Sequence, residues 1–367
     1  MDILISSLIY ITVLAYIVTY NLTHKPDGDQ TREWRACKGD FPLMGDHGYL
    51  LYSCVLMFGL PLLLKKHPGI SYLSYRIIPA VFFALMPSFS FLLFREFLPL
   101  PQSLISTFLI LSSFYILYYP DNGRVGMANG ILTVIVWSLF TGHLTVMLIF
   151  SILLILSHYG TSCHFTVIAV LSTATAVFFT EWTHLAVLSV FLIVLIYLWF
   201  YKLKPSTGTV ISTFAAGTVS VNSNTLKTQV STARYYKIVE DKSPLRNFFR
   251  IWYRESVVQA AFGVTLKTAS FLQRTEFVLS WTIVLTVSIG LVLMPVPVLY
   301  KILASVSYLL ILWTLLIPHM SVWYGISRVW FVSLIFLAPF INIIPPYLSL
   351  PLIALFSFCI IYKRGVP

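Results

Sequence analysis

Charge is what this chain has least of: only 10% of its 367 residues are Asp, Glu, Lys or Arg, against 58% hydrophobic ones. With a mean hydropathy of +0.86, a soluble domain of this size is excluded, because such domains carry about 25% charged residues. The four cysteines, Cys37, Cys54, Cys163 and Cys359, form no CxxC pair and show no metal-ligand spacing. They are expected as free thiols, with neither a disulfide framework nor a zinc site. There is no Walker-type glycine loop, no HExxH and no GxSxG, so ATP-driven transport and the common hydrolase chemistries lose their usual handles. Gly160-Thr161-Ser162-Cys163 lacks the partner glycine of an intramembrane serine protease. Acids within the apolar runs are too few for a proton relay, Glu181 beside Trp182 and His184 being the main one. Neither a metal nor another cofactor is expected.

What is present is a succession of long apolar runs. Ile3 to Tyr20 has no basic n-region and no small-residue cleavage site, so it is expected as a retained first span. Further runs fall at about 48–64, 76–94, 103–119, 127–158 (two passes), 163–180, 184–201, 276–294, 299–317, 329–345 and 347–362. The expected fold is all-α, a polytopic membrane protein with about twelve transmembrane helices and one long polar loop. Its organisation is an N-terminal membrane bundle over 1–201, a polar loop over 202–275 and a C-terminal bundle over 276–367. Proline inside or beside several runs (Pro79, Pro87, Pro295, Pro297, Pro339, Pro345, Pro346) predicts kinked or broken helices.

The most informative run is Tyr118 to His164. It opens on the turn Pro120-Asp121-Asn122-Gly123 and places Arg124 at the mouth of a stretch, 130–156, that has no charge. That stretch exceeds the roughly 20 residues one crossing needs. A hairpin turning at Thr141-Gly142-His143 returns the chain to the side it left, with Arg124 and His158 at one face. A cation at such a boundary is a functional candidate; the plainer alternative is a helix-end arginine snorkelling to headgroups.

The net charge of +11 is no nucleic-acid footprint, because the bases sit mainly in loops between apolar runs. That placement suits anionic lipid or pyrophosphate. In the polar region, 206–232 is rich in Ser, Thr and Val and reads as a loose β-like or irregular loop. The stretch 243–273 reads as an amphipathic interfacial helix, with Arg246, Arg250 and Arg254 on one stripe. Its two readings are lipid anchoring and a grip on a lipid-linked anion. For orientation, Lys65, Lys66 and Arg76, read as one short loop, and Lys363 with Arg364 favour the cytoplasm. Counting spans from there puts 21–47 outside, and Arg124, His158 and the central loop inside. One misjudged span between 66 and 119 moves those three outside together.

Three elements resemble the O-antigen and exopolysaccharide polymerases of the EpsG or Wzy type. The first is Asp27-Gly28-Asp29-Gln30 with Trp34, followed by Asp46-His47-Gly48-Tyr49-Leu50-Leu51 at the entry to a span. The second is Asn122-Gly123-Arg124 ahead of a small-residue-rich span, and the third is His158-Tyr159 closing the next one. The likeness covers roughly residues 25–170. It departs from the family pattern at Val125, where glutamine is usual, at Asp27, where glycine is, and at Trp34, where tyrosine is. The resemblance implies a glycosyltransferase of the bacterial inner membrane that joins repeat units carried on undecaprenyl pyrophosphate. It further implies that 21–47, Arg124 and His158 face the periplasm, with a chain-length regulator protein as a partner. On that reading Arg124 neutralises the pyrophosphate leaving group and His158 or Asp29 is the base for the acceptor hydroxyl. Tyr49, Asn122, Arg246, Arg250 and Arg254 bind substrate. The competing class is a flippase or transporter of a lipid-linked solute, in which Arg124 binds pyrophosphate without chemistry; the uneven division into about eight and four spans argues against simple repeats.

Overall fold

The computed structural model describes residues 1–24, 34, 55–117, 123–179, 182–199, 271–316 and 326–363. Among these residues the chain is helical and has no strand. Four helical runs are long and apolar enough to cross a membrane: Asp2–Thr23, Pro68–Arg95, Gly123–Thr141 and Arg274–Leu293. Shorter apolar helices fill the remaining runs, the shortest helix of the chain's described part being α6 (Phe114–Leu117).

The first long helix, α1 (Asp2–Thr23), lies antiparallel to the pair α3 (Pro68–Phe83) and α4 (Leu85–Arg95). Three contacts fix that register: Ser6 Oγ lies 2.7 Å from Ser88 Oγ, Tyr10 donates to the Val81 carbonyl, and Asn21 Nδ2 donates to the Arg76 carbonyl. Hydroxyl and amide contacts of this kind join helices where lipid tails are no less apolar than leucine. The α3–α4 run breaks at Ala84. Pro87 causes this, because it has no N–H to give the Phe83 carbonyl.

The break matters because α7 (Gly123–Thr141) packs against it. A Cβ added at Gly130 would collide with the Phe82 carbonyl, and one at Gly126 would collide with the Phe83 ring. The small residues that follow Arg124 therefore let two backbones touch, and α7 becomes the centre of the bundle. In its most apolar stretch 78% of α7 is buried, against 17% for the peripheral α1.

From α7 the chain turns at Gly142, whose φ of +74° only glycine adopts readily, into α8 (Leu144–Ser157). This is the hairpin expected from the sequence, at the expected turn. Next come α9 (Tyr159–Ala176) and α10 (Thr183–Ile196), joined through a 2.8 Å contact between Thr173 Oγ1 and Ser189 Oγ. The C-terminal bundle is α11 (Phe271–Leu293), α12 (Val298–Leu316), α13 (Ile326–Leu337) continued as a 3-10 turn (Ala338–Ile343), and α14 (Pro346–Lys363). It is tied to α5 (Leu100–Leu111) by Asn342, which donates to the Gln102 carbonyl and Ser106 Oγ. A second tie joins Ser357 to Ser112 at 2.6 Å.

One expectation is seen only in part, and one shifts. Of the expected span 48–64, the described part is α2 (Val55–Leu63), about 14 Å of helix at 1.5 Å per residue; it folds back on the start of α3, where Ser71 Oγ donates to the Pro61 carbonyl. The loop between them is only 64–67, so Arg76 is not in a loop. It lies two turns inside α3, because Pro68 starts that helix well before hydropathy rises. The expected loop structure of 206–232 lies outside the described residues, as does the expected amphipathic helix of 243–273 before Phe271.

Candidate functional site

The site is built where α1 ends. The last carbonyls of a helix lack intrahelical partners, and here a buried cation supplies them. Arg76, 2% exposed, donates from Nε to the Asn21 carbonyl at 2.8 Å and from Nη2 to the His24 carbonyl at 2.9 Å. Asn21 Nδ2 returns a bond to the Arg76 carbonyl at 3.0 Å. The positive charge also faces the negative end of the α1 macrodipole. Aromatic rings wrap this joint: Tyr20 stacks on His24 with centroids 3.9 Å apart, and Trp34 meets Tyr72 at 4.9 Å and Tyr75 at 5.4 Å. Trp34, which carries part of the polymerase resemblance, is thus anchored to α3.

Arg124 lies at the same end. Because Phe82 and Phe83 meet Gly130 and Gly126 while Phe89 meets Trp137 at 5.2 Å, α7 runs parallel to α3–α4. Its first residues are therefore level with the Arg76 half of α3. Arg124 is half-buried in the first turn of α7. A cation there opposes the positive end of the helix dipole, so helix stability does not explain it. Arginine and N-terminal N–H groups together attract an anion.

The α7–α8 hairpin brings His158 back to this end, about one helical turn short of Arg124 by residue count. His158 is 4% exposed and stands in extended conformation between two helices. It caps α9: its Nδ1 accepts the Thr161 backbone N–H at 3.1 Å and lies 2.9 Å from Thr161 Oγ1. The ring position is held further by Ser162, whose hydroxyl donates to the His158 carbonyl at 3.0 Å. An Nδ1 that accepts carries no proton, so the neutral ring is the Nε2–H tautomer. Such an imidazole has no lone pair left on Nε2 with which to take a proton. The cap favours a donor role for His158 over the role of general base.

Arg124 and His158 thus share one end of the bundle with Trp34. Asp29, Tyr49, Asn122, Arg246, Arg250 and Arg254 lie outside the described residues, as does Glu181. Two buried charges escaped the sequence reading. Arg76 is one; the start signal at His67-Pro68 could have placed it inside a helix. The other is Glu276, 3% exposed in α11 and near enough to Cys359 of α14 to act on its thiol electrostatically. Its signal was a lone acid at the head of an apolar run. Of the cysteines, Cys163 and Cys359 are free.

No family model matches this chain, and no curated protein and no solved structure matches it. The fold and the site carry the functional argument.

Proposed function

We propose that this chain is a polytopic glycosyltransferase of the bacterial inner membrane that polymerises repeat units carried on undecaprenyl pyrophosphate. The observation that carries the proposal is the hairpin, which sets Arg124, at a helix N-terminus, on the same end as a His158 whose ring is locked as an N–H donor. Both are suited to a pyrophosphate leaving group. In the reaction, the acceptor hydroxyl attacks the anomeric carbon of the donor sugar, the glycosidic bond to pyrophosphate breaks, and the negative charge develops on the leaving oxygens. Arg124 offers those oxygens a planar fork of donors, and His158 Nε2–H adds one more. The acceptor proton passes to a base, and with His158 capped on Nδ1 that role falls to Asp29. The Arg246, Arg250 and Arg254 stripe is an accessory grip on the same anion, and Tyr49 and Asn122 are further substrate-binding residues. The number of crossings we propose is about twelve.

A second reading, a flippase or transporter of a lipid-linked oligosaccharide, is favoured by one observation. Described bases cluster at the Arg124 end: Lys65, Lys66, Arg76, Arg124, Arg274, Arg328 and Lys363 belong there, and Arg95 and Lys301 to the other end. Basic residues concentrate on the cytoplasmic side, where a flippase collects its substrate, whereas the polymerase reaction is periplasmic.

The deciding experiment labels cysteines introduced at positions 122 and 160 with a membrane-impermeant reagent in intact spheroplasts. Labelling there supports the polymerase; labelling only after the membrane is permeabilised overturns it. Under the polymerase reading Arg124→Lys loses most chain elongation while the protein stays in the membrane, because an ammonium lacks the bidentate fork. Loss of the polymerase leaves single repeat units on the surface, whereas loss of a flippase removes surface glycan altogether.

A further inference from the structure

On one flank, the helices α1, α5 and α14 close only in part, α14 meeting the end of α5 at Ser357 and Ser112. They leave a crevice of about 440 Å³ lined by Ile9 of α1, Pro101, Leu104, Phe108 and Leu111 of α5, and Leu350 of α14. Its walls offer no hydrogen-bonding group. The one hydroxyl among them, Thr107 Oγ1, is spent on the Ser103 carbonyl at 2.8 Å. An apolar cavity of this kind excludes water and takes hydrocarbon.

Its direction and length name the hydrocarbon. The crevice starts at the first turns of α5 and α14, beside the Arg95–Asp2 pair, and runs along α5 from Pro101 to Leu111. That is about 15 Å at 1.5 Å per residue, half of the roughly 30 Å hydrocarbon thickness of a bilayer. It therefore reaches from one interface to the midplane, the extent of a single leaflet. It is open to the outside of the bundle, since two residues of its own lining, Leu104 and Leu350, are exposed, which leaves the bilayer as the source of any occupant. The interface end is also the end opposite Arg124, so a chain anchored by its pyrophosphate at Arg124 would enter from the other leaflet.

We infer that this crevice holds one acyl chain of a phospholipid from the leaflet at the Asp2 end, wedged between α1 and α14 as a bound lipid. The inference rests on the membrane-spanning reading and is independent of the polymerase reading. The test is photo-crosslinking of the full-length protein in nanodiscs with phosphatidylethanolamine bearing a diazirine on one acyl chain. A polyprenyl phosphate diazirine is run in parallel. Labelling concentrated on peptides carrying Leu104, Phe108 and Leu350 is expected, and Leu104→Trp, which fills the crevice, should reduce it at least fivefold. Val190→Trp, on an exposed face of α10, should leave it unchanged. Labelling spread evenly over all exposed helices, or undiminished in Leu104→Trp, overturns the proposal. Preferential labelling by the polyprenyl probe overturns it too, since the crevice would then belong to the substrate tail.

Discussion

The two ends of this bundle handle charge in opposite ways. At the Asp2 end every described cation is spent on the fold: Arg95 pairs with Asp2 at 3.1 Å and donates to the Leu98 carbonyl, and Lys301 caps α11 through the Val292 and Met294 carbonyls. That end is closed by aromatic packing, Tyr300 meeting Phe97 at 4.6 Å and Phe140 at 5.5 Å while its hydroxyl donates to the Ile335 carbonyl. At the other end one arginine, Arg76, holds the joint with α1, while Arg124 sits in a helix first turn where its charge opposes the helix dipole. A cation in that position is not explained by its own helix, and with His158 brought to the same end by the hairpin it marks the candidate site.

The comparison breaks most readily at the helix that carries Arg124. Gly130→Leu drives a side chain into the Phe82 carbonyl and should destabilise by about 3 kcal/mol, at the upper side of the usual overpacking range. Thermal unfolding in detergent measures it, and a stable Gly130→Leu protein would show that α7 does not depend on this close approach. Arg76→Ala follows, with about 2–3 kcal/mol lost as buried carbonyls of α1 go unpaired. Arg76→Lys should recover only part, because one ammonium does not reproduce the fork from Nε and Nη2. Next is His158. His158→Ala removes the α9 cap and should cost about 1 kcal/mol, whereas His158→Asn keeps an acceptor for the Thr161 N–H and should be nearly as stable as the wild type. If the His158→Asn protein keeps its stability but loses activity, the Nε2–H donor is the functional part of the ring. Smallest is Arg95→Ala at the opposite end, about 0.5 kcal/mol for a partly exposed pair. A larger loss there than in Arg76→Ala would reverse the contrast between the ends.

Much of this architecture was legible in the sequence because hydropathy reports burial directly. The runs predicted helices that are present, and Gly142 marked the turn between α7 and α8, since a positive φ needs a residue without Cβ. The shared end of Arg124 and His158 followed from run length alone. Arg76 was misread for a definite reason: hydropathy averages over a helix, while Pro68 fixes where the helix begins. Of the expected span 48–64, the described part is helical and pairs with α3 through Ser71.

By itself the sequence determined that the chain is helical and apolar enough to enter a membrane, because each helix satisfies its backbone within itself and needs no distant partner. It could not assign a role to a ring nitrogen or a guanidinium. That Nδ1 of His158 serves as an acceptor follows from the Thr161 N–H that meets it. Arg76 is structural because the end of α1, some 55 residues earlier in the chain, arrives with carbonyls to be satisfied. Those are properties of partners brought together by packing, and only the tertiary structure decided them.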